Sequence, residues 1–228
     1  MVVAGLFLAA HFAAWIPSLR FTSVASSTAL VATQPVWAAL IARRRGARVE
    51  PRAWAGIAIA LLGVLVLTGV DLVVDPRSLV GDLMALAGGM LAAAYVTAGG
   101  QVRQQVSTAT YTMVAYGSAG LALLALCLVL RVPLGGWSAR DWWLIVALTL
   151  LAQLLGHTMV ARVLSTTSAT VVSLAILFEM PGATIIAAWW LGQRPPLAVV
   201  PAVVLLFAGI AMVISTGDRD VLLEEPPV

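Results

Sequence analysis

The chain has 228 residues, of which 61% are hydrophobic and only 10% charged, with a formal net charge of +3. A water-facing domain carries about 25% charged residues, so this composition excludes a soluble protein and places the chain in a lipid bilayer. Its thirteen basic residues, all Arg, stand singly or beside apolar segments as topology signals do, and no basic–aromatic groove pattern points to nucleic acid.

A membrane-crossing helix needs about 20 mostly apolar residues. Eight segments qualify: 2–19, 23–42, 53–70, 80–100, 110–131, 141–163, 169–190 and 196–216. The connections between them are short and polar, leaving no room for a soluble domain. The first segment lacks the positive leader of a signal peptide and reads as a mature helix. The lone Cys127 excludes an intrachain disulfide or a thiolate metal cluster. The acidic stretch 217–228 has no apolar period and is expected to be a frayed polar tail.

Arg residues set the expected orientation. Arg43, Arg44, Arg45, Arg48, Arg52, Arg103, Arg162 and Arg219 fall on one side. Arg20, Arg77, Arg131, Arg140 and Arg194 fall on the other, offset there by Asp71, Asp75 and Asp141. The Arg43–Arg48 cluster dominates this bias and is expected to be cytoplasmic, with both termini inside. The pairs Trp142/Trp143 and Trp189/Trp190 then reach the outer interface, where Trp is favoured.

The chain also repeats itself. An offset of 146 residues carries His11 onto His157, Ser27 onto Ser173, Pro35 onto Pro181, Gly46 onto Gly192, Arg48 onto Arg194 and Gly63 onto Gly209, without a gap. Matches of Ala or Leu would mean little in apolar sequence. Paired His, Pro, Gly and Arg mark a duplicated membrane unit. Under the expected orientation the two copies run antiparallel, and transporters commonly build a midplane site between such copies. Two further helices, near Gly81 and Tyr111, precede the second copy, and their counterparts would lie before Met1. The first copy is therefore expected to be truncated.

Three stretches carry a family resemblance: Ser18–Leu40, the Gly56–Val66 run GlyIleAlaIleAlaLeuLeuGlyValLeuVal, and Gly81–Tyr95, GlyAspLeuMetAlaLeuAlaGlyGlyMetLeuAlaAlaAlaTyr; LeuGlyGlnArgPro at 191–195 adds to them. In these the chain resembles the EamA-like branch of the drug/metabolite transporter superfamily. The resemblance implies an all-α polytopic membrane protein. Its eight or so helices would come from an inverted five-helix repeat whose first copy is truncated: 1–71 the partial first repeat, 80–216 the second, 217–228 the tail. That family often has Glu after the Gly ending the fourth helix of each repeat. Here Ala47 and Gln193 stand in those places. The resemblance further implies no enzyme activity and secondary efflux of a small metabolite, amino acid or drug-like compound through the inner membrane. A proton or another coupling ion, and a homodimer, are compatible with it, and no nucleic acid partner is.

Several residues could carry the work. Glu179 lies mid-segment, beside Pro181, which lacks a backbone donor and frees a carbonyl one turn earlier. A carboxylate at bilayer centre costs about 2.5–3.5 kcal/mol on insertion scales, so it marks a pathway or a strongly bonded structural group. Gln34 and Pro35 form the sister arrangement, with Thr33 aligned on Glu179. Gln34 could line the same cavity or bond across helices. His11 and His157 could bind substrate or shuttle a proton, or simply pack. By resemblance Tyr95 faces the central cavity, and an aromatic there suits an amine through cation–π contact. The expected pathway is thus Glu179, Gln34, His11, His157 and Tyr95, with kinks at Pro35 and Pro181.

No catalytic residue, cofactor or metal is expected. Two His and a Glu could ligate zinc, yet no local ligand motif accompanies them. An intramembrane hydrolase built on Ser118, with His157 as base, would need a nucleophile elbow that GlySerAlaGly does not match. A non-transporting remnant or assembly partner is the other alternative. ATP drive is excluded by the lack of a phosphate loop.

Overall fold

The computed structural model describes residues 1–46, 49–103, 106–156 and 179–223. These are helical throughout apart from short connections: α1 Val2–Ser18, α2 Val24–Val31, α3 Gln34–Arg44, α4 Pro51–Val74, α5 Ser78–Arg103, α6 Thr108–Val129, α7 Ala139–Leu148, α8 Glu179–Trp190 and α9 Val199–Leu223. A π-helical turn, Thr149–Gly156, continues α7. The chain is a polytopic α-helical membrane protein. Four stretches are long and apolar enough to cross a bilayer: Val24–Arg44, Pro51–Val74, Ser78–Gly99 and Ala109–Val129.

Local chemistry fixes the ends of these helices. Ser23 caps α2 by accepting from the Ser26 N–H at 3.0 Å, and Ser107 caps α6 through Thr110. Ser138 and Asp141 form a reciprocal capping box on α7. Pro51 begins α4, where its missing N–H costs nothing. Gly46 follows α3 at φ +95° and Gly192 follows α8 at φ +68°. Both are left-handed positions that favour Gly, and they are related by the 146-residue offset.

α5 is the central helix. It lies against α1, α2 and α3, and α1 in turn lies against α6. α4 pairs with α9, and α8 with α2. The main core joins Leu30, Val36, Leu67, Leu206 and Ile210, each with at most 1% of its surface exposed. Without a hydrophobic drive between helices in lipid, close approach depends on small residues. Gly5 sits on Ala115 and Ser118, so that a Cβ there would collide with both.

The α4–α9 contact is reciprocal. A Cβ on Gly63 would come within 2.9 Å of the Ala202 carbonyl and 2.6 Å of the Leu206 nitrogen. A Cβ on Gly209 would meet the Gly56 carbonyl and the Ala60 nitrogen. Gly56 and Ala60 are the offset partners of Ala202 and Leu206, so each glycine receives the other helix at equivalent places. Chain number rises on α4 as it falls on α9, so the pair is antiparallel.

Three expectations need correction. The segment 23–42 is not one helix but two, broken at Ala32 and Thr33. Asp71 is not in a connection but within α4, 7% exposed, because the apolar Leu72–Val74 extends the helix a further turn. α9 runs on to Leu223, past the end of the expected apolar segment, since adding residues to an existing helix is far easier than starting one.

Candidate functional site

The break in the Val24–Arg44 span lies near its midpoint. α2 ends at Val31 and α3 restarts at Gln34 with Pro35 in its first turn. Pro35 has no N–H, so the Val31 carbonyl loses its helical partner one turn back. That carbonyl faces α5 at Gly89, where a Cβ would stand 3.0 Å from it. Thr33 repairs part of the interruption. Its hydroxyl donates to the Leu30 carbonyl at 2.6 Å and accepts from Trp37 Nε1 at 2.9 Å. Irregular backbone at membrane depth is tolerated only where protein or a cavity covers it. Here the bare face of Gly89 lies over the break, and Gln34, half-buried, is the first residue beyond it.

Gly88 and Gly89 are contacted from two sides. On the α1 side, His11 is 6% exposed and its Nδ1 lies 2.9 Å from the Gly88 carbonyl. A carbonyl only accepts, so Nδ1 carries the hydrogen and, in the neutral ring, Nε2 is the acceptor. The imidazole is flanked by Phe12 and Trp15, with ring centroids 5.0 and 5.3 Å away. Trp15 packs on Gly88 itself, where a Cβ would be 3.2 Å from its own Cβ. The paired glycines thus let α1 and the broken helix both approach α5 at one level.

Tyr95 lies two turns along α5 from Gly88, about 10 Å at 1.5 Å per residue. It is half-buried among Leu8, Ala9 and Phe12 of α1 and Tyr111, Ala115 and Tyr116 of α6. His11, Tyr95 and Gln34 are therefore arranged around the same helix. Glu179 is exposed at the start of the described part of α8, the helix that lies against α2. Pro181 is within the first turn of α8. His157 lies outside the described residues.

Other expected features have packing roles. Ser27, fully buried, shares a 2.8 Å hydrogen bond with Ser18, whose hydroxyl also reaches the Trp15 carbonyl. The Ser118 hydroxyl donates to the Val114 and Ala115 carbonyls of its own helix, against Gly5. It is engaged in helix packing, and His157, the base considered for it, lies outside the described residues. Among the described residues no cluster of three His, Cys, Asp or Glu could hold a metal ion.

Sequence reading passed over two carboxylates. Asp71 and Asp82 are 7% and 1% exposed. The charge pattern alone places Asp71 in a connecting loop, and nothing in the sequence sets Asp82 apart from its Gly81 neighbour. A helical register through Thr68 and Asp71, followed by LeuValVal, was the signal that could have placed Asp71 inside.

Residues 79–215 match the sequence pattern of the EamA-like transporter family. The chain belongs to the EamA-like transporter family. A crystal structure matches this EamA-like chain over 98% of its length and 77% of the other chain, with 22% identity and a TM-score of 0.59. At that identity the likeness speaks to the fold alone. No curated protein matches the sequence. In this EamA-like chain the matched region takes in α5, the helix that lies against the break.

Proposed function

We propose that this EamA-like chain is a secondary-active exporter of a small metabolite, amino acid or drug-like compound, working by alternating access between its two antiparallel copies. The observation that carries this reading is the mid-span interruption at Ala32–Thr33, set against Gly89 and one residue away from the His11–Gly88 contact. Interrupted helices expose backbone dipoles near the bilayer centre, and transporters use such ends to hold polar substrate groups. His11, Gln34 and Tyr95 add a hydrogen-bonding ring, an amide and an aromatic to the same pathway. Glu179 and His157 complete it from the second copy.

The reciprocal packing of α4 on α9 supports the inverted arrangement, with residues 1–71 belonging to one copy and 80–216 to the other. The Arg43–Arg45 cluster sits on the cytoplasmic side of the inner membrane, with both termini inside.

The test is efflux from inverted and right-side-out vesicles against a panel of amino acids, amines and organic acids. It is repeated with Gln34→Ala, His11→Phe and Glu179→Gln. Substrate-dependent flux that falls in these variants, with unchanged folded yield, supports the assignment. A panel on which all three variants behave as wild type would remove these residues from the pathway.

A further inference from the structure

A second polar centre lies away from the helix break, at the end of the molecule where α4 leads into α5. A cavity of about 250 Å³ opens there, lined by Phe21, Thr22 and Ser23, by Asp71 and Asp75 at the end of α4, by Ser78, and by the loop Gln193–Pro196. Asp71 and Thr22 form part of its wall. Asp82, behind them, is surrounded by Thr22, Thr68 and Asp71. Gly81 makes this possible, since a Cβ there would come within 2.8 Å of the Thr22 nitrogen.

The bonding of this group is incomplete. Both carboxylate oxygens of Asp82, Oδ2 of Asp71 and the Thr22 hydroxyl are buried without a hydrogen-bond partner. All three side chains are more than nine-tenths buried. Two ionised carboxylates buried beside each other repel, and the hydroxyls nearest them, Ser26 at Asp71 and Thr22 and Thr68 at Asp82, replace only part of the hydration each loses. A bound positive charge resolves both problems. The other charged groups facing the cavity are Asp75 of α4 and Arg194 of the Gln193–Pro196 loop, and Asp75 adds to the negative side. The described donors amount to two carboxyls and neighbouring hydroxyls, too few for a polyvalent metal cage that takes six or more oxygens. A proton needs only one of the two: bound to either carboxyl, it removes that charge and the repulsion with it.

We propose that Asp71 and Asp82 form a proton-carrying pair, loaded through the cavity under the Phe21–Ser23 turn, whose loading and unloading is coupled to export. The coupling half of this inference rests on the transporter reading above; the proton site does not. The pair joins α4 to α5, and the cavity it faces is closed by the loop that follows α8. Movement of that loop against α4 would open or seal the path to the pair, as alternating access requires.

Infrared difference spectroscopy on the purified full chain in lipid nanodiscs tests the site directly. A protonated carboxyl stretch that disappears on alkalinisation, is absent in Asp82→Asn, is restored in Asp82→Glu and is unaffected by sodium at fixed pH is the expected result. Absence of the band in wild type, or its displacement by sodium at constant pH, overturns the proposal. The coupling is read in vesicles: a pH gradient should drive wild-type flux, and this drive should be lost in Asp82→Asn. Undiminished drive in that variant overturns the coupling. A chain that moves no substrate would sink the transporter reading while the infrared result still decides the proton site.

Discussion

Gly63 of α4 and Gly209 of α9 are related by the 146-residue offset, and a Cβ on either would collide with the backbone of the other's helix. A Cβ on Gly63 would sit 2.6 Å from the Leu206 nitrogen of α9, and one on Gly209 would collide with the Ala60 nitrogen of α4, inside any real contact. Backbone cannot yield as a side-chain tip can. Gly63→Ala and Gly209→Ala should each therefore cost about 1–3 kcal/mol through overpacking, read as a lowered thermal midpoint in detergent. Gly69, on the same helix with nothing within 4 Å of a Cβ, is the control. Gly69→Ala should be neutral, or stabilise by up to about 1 kcal/mol through helix propensity. Equal effects at Gly63 and Gly69 would show that the α4–α9 contact is not tight.

The Thr33 hydroxyl holds the helix break together by donating to Leu30 and accepting from Trp37. Thr33→Val keeps the shape and leaves the Leu30 carbonyl its bond from the Thr33 N–H, but it strands the Trp37 N–H, at a cost of about 1–3 kcal/mol for a buried group left unpaired. Thr33→Ser retains the hydroxyl and should stay close to wild type. Unfolding midpoints with Trp fluorescence as the probe separate the two variants. A Val variant as stable as the Ser variant would mean that the hydroxyl contributes only packing.

Much of this fold could be read from residues alone, because membrane helices announce themselves by length and apolarity. Pro35 marked the place where the Val24–Arg44 span turns out of regular helix, and Gly46 and Gly192, paired by the 146-residue offset, both end helices at positive φ. The tight turn at Ala32–Thr33 was not legible: proline predicts a freed carbonyl, but whether the helix bends or breaks depends on what covers it. Gly89 does so here, and nothing in a one-dimensional pattern links residue 89 to residue 31. Asp71 and Asp82 were missed for a related reason. Near a helix end, a carboxylate reads as a surface charge unless the fold packs Gly81 onto Thr22 and buries it.

The orientation can be fixed by labelling. Replacing Cys127 with Ser gives a thiol-free chain, because it is the sole cysteine. Arg45, exposed after α3, and Arg77, exposed between α4 and α5, lie on opposite sides of one span. With Arg45→Cys, an impermeant maleimide should label inverted vesicles only; with Arg77→Cys, it should label intact cells. The reverse pattern would place the Arg cluster outside, and labelling of both from one side would remove α4 as a crossing helix.

Gln193 stands where relatives of this family often carry Glu, and its side chain has a definite task. Its Oε1 accepts from the Val24 N–H at 3.0 Å, one of the donors that the start of α2 cannot satisfy within the helix. The bond ties the loop after α8 to α2, across 169 residues of chain. Gln193→Leu should lose it and destabilise the protein by about 0.5–1.5 kcal/mol. Gln193→Glu keeps the acceptor and adds a negative charge at a helix N-terminus, worth about 0.3–1 kcal/mol at low ionic strength. Asp71 and Asp75 line the same cavity and oppose that charge, while Arg194 favours it. Because the acceptor touches the helix end directly and the aspartates act across the cavity, the helix end should prevail. Thermal midpoints should then rank Glu at or above Gln, and both above Leu, with the Glu advantage shrinking as salt screens it. A Glu variant less stable than wild type at low salt would show that the two aspartates outweigh the helix end, and would mean that glutamine is here because a third carboxylate could not be held.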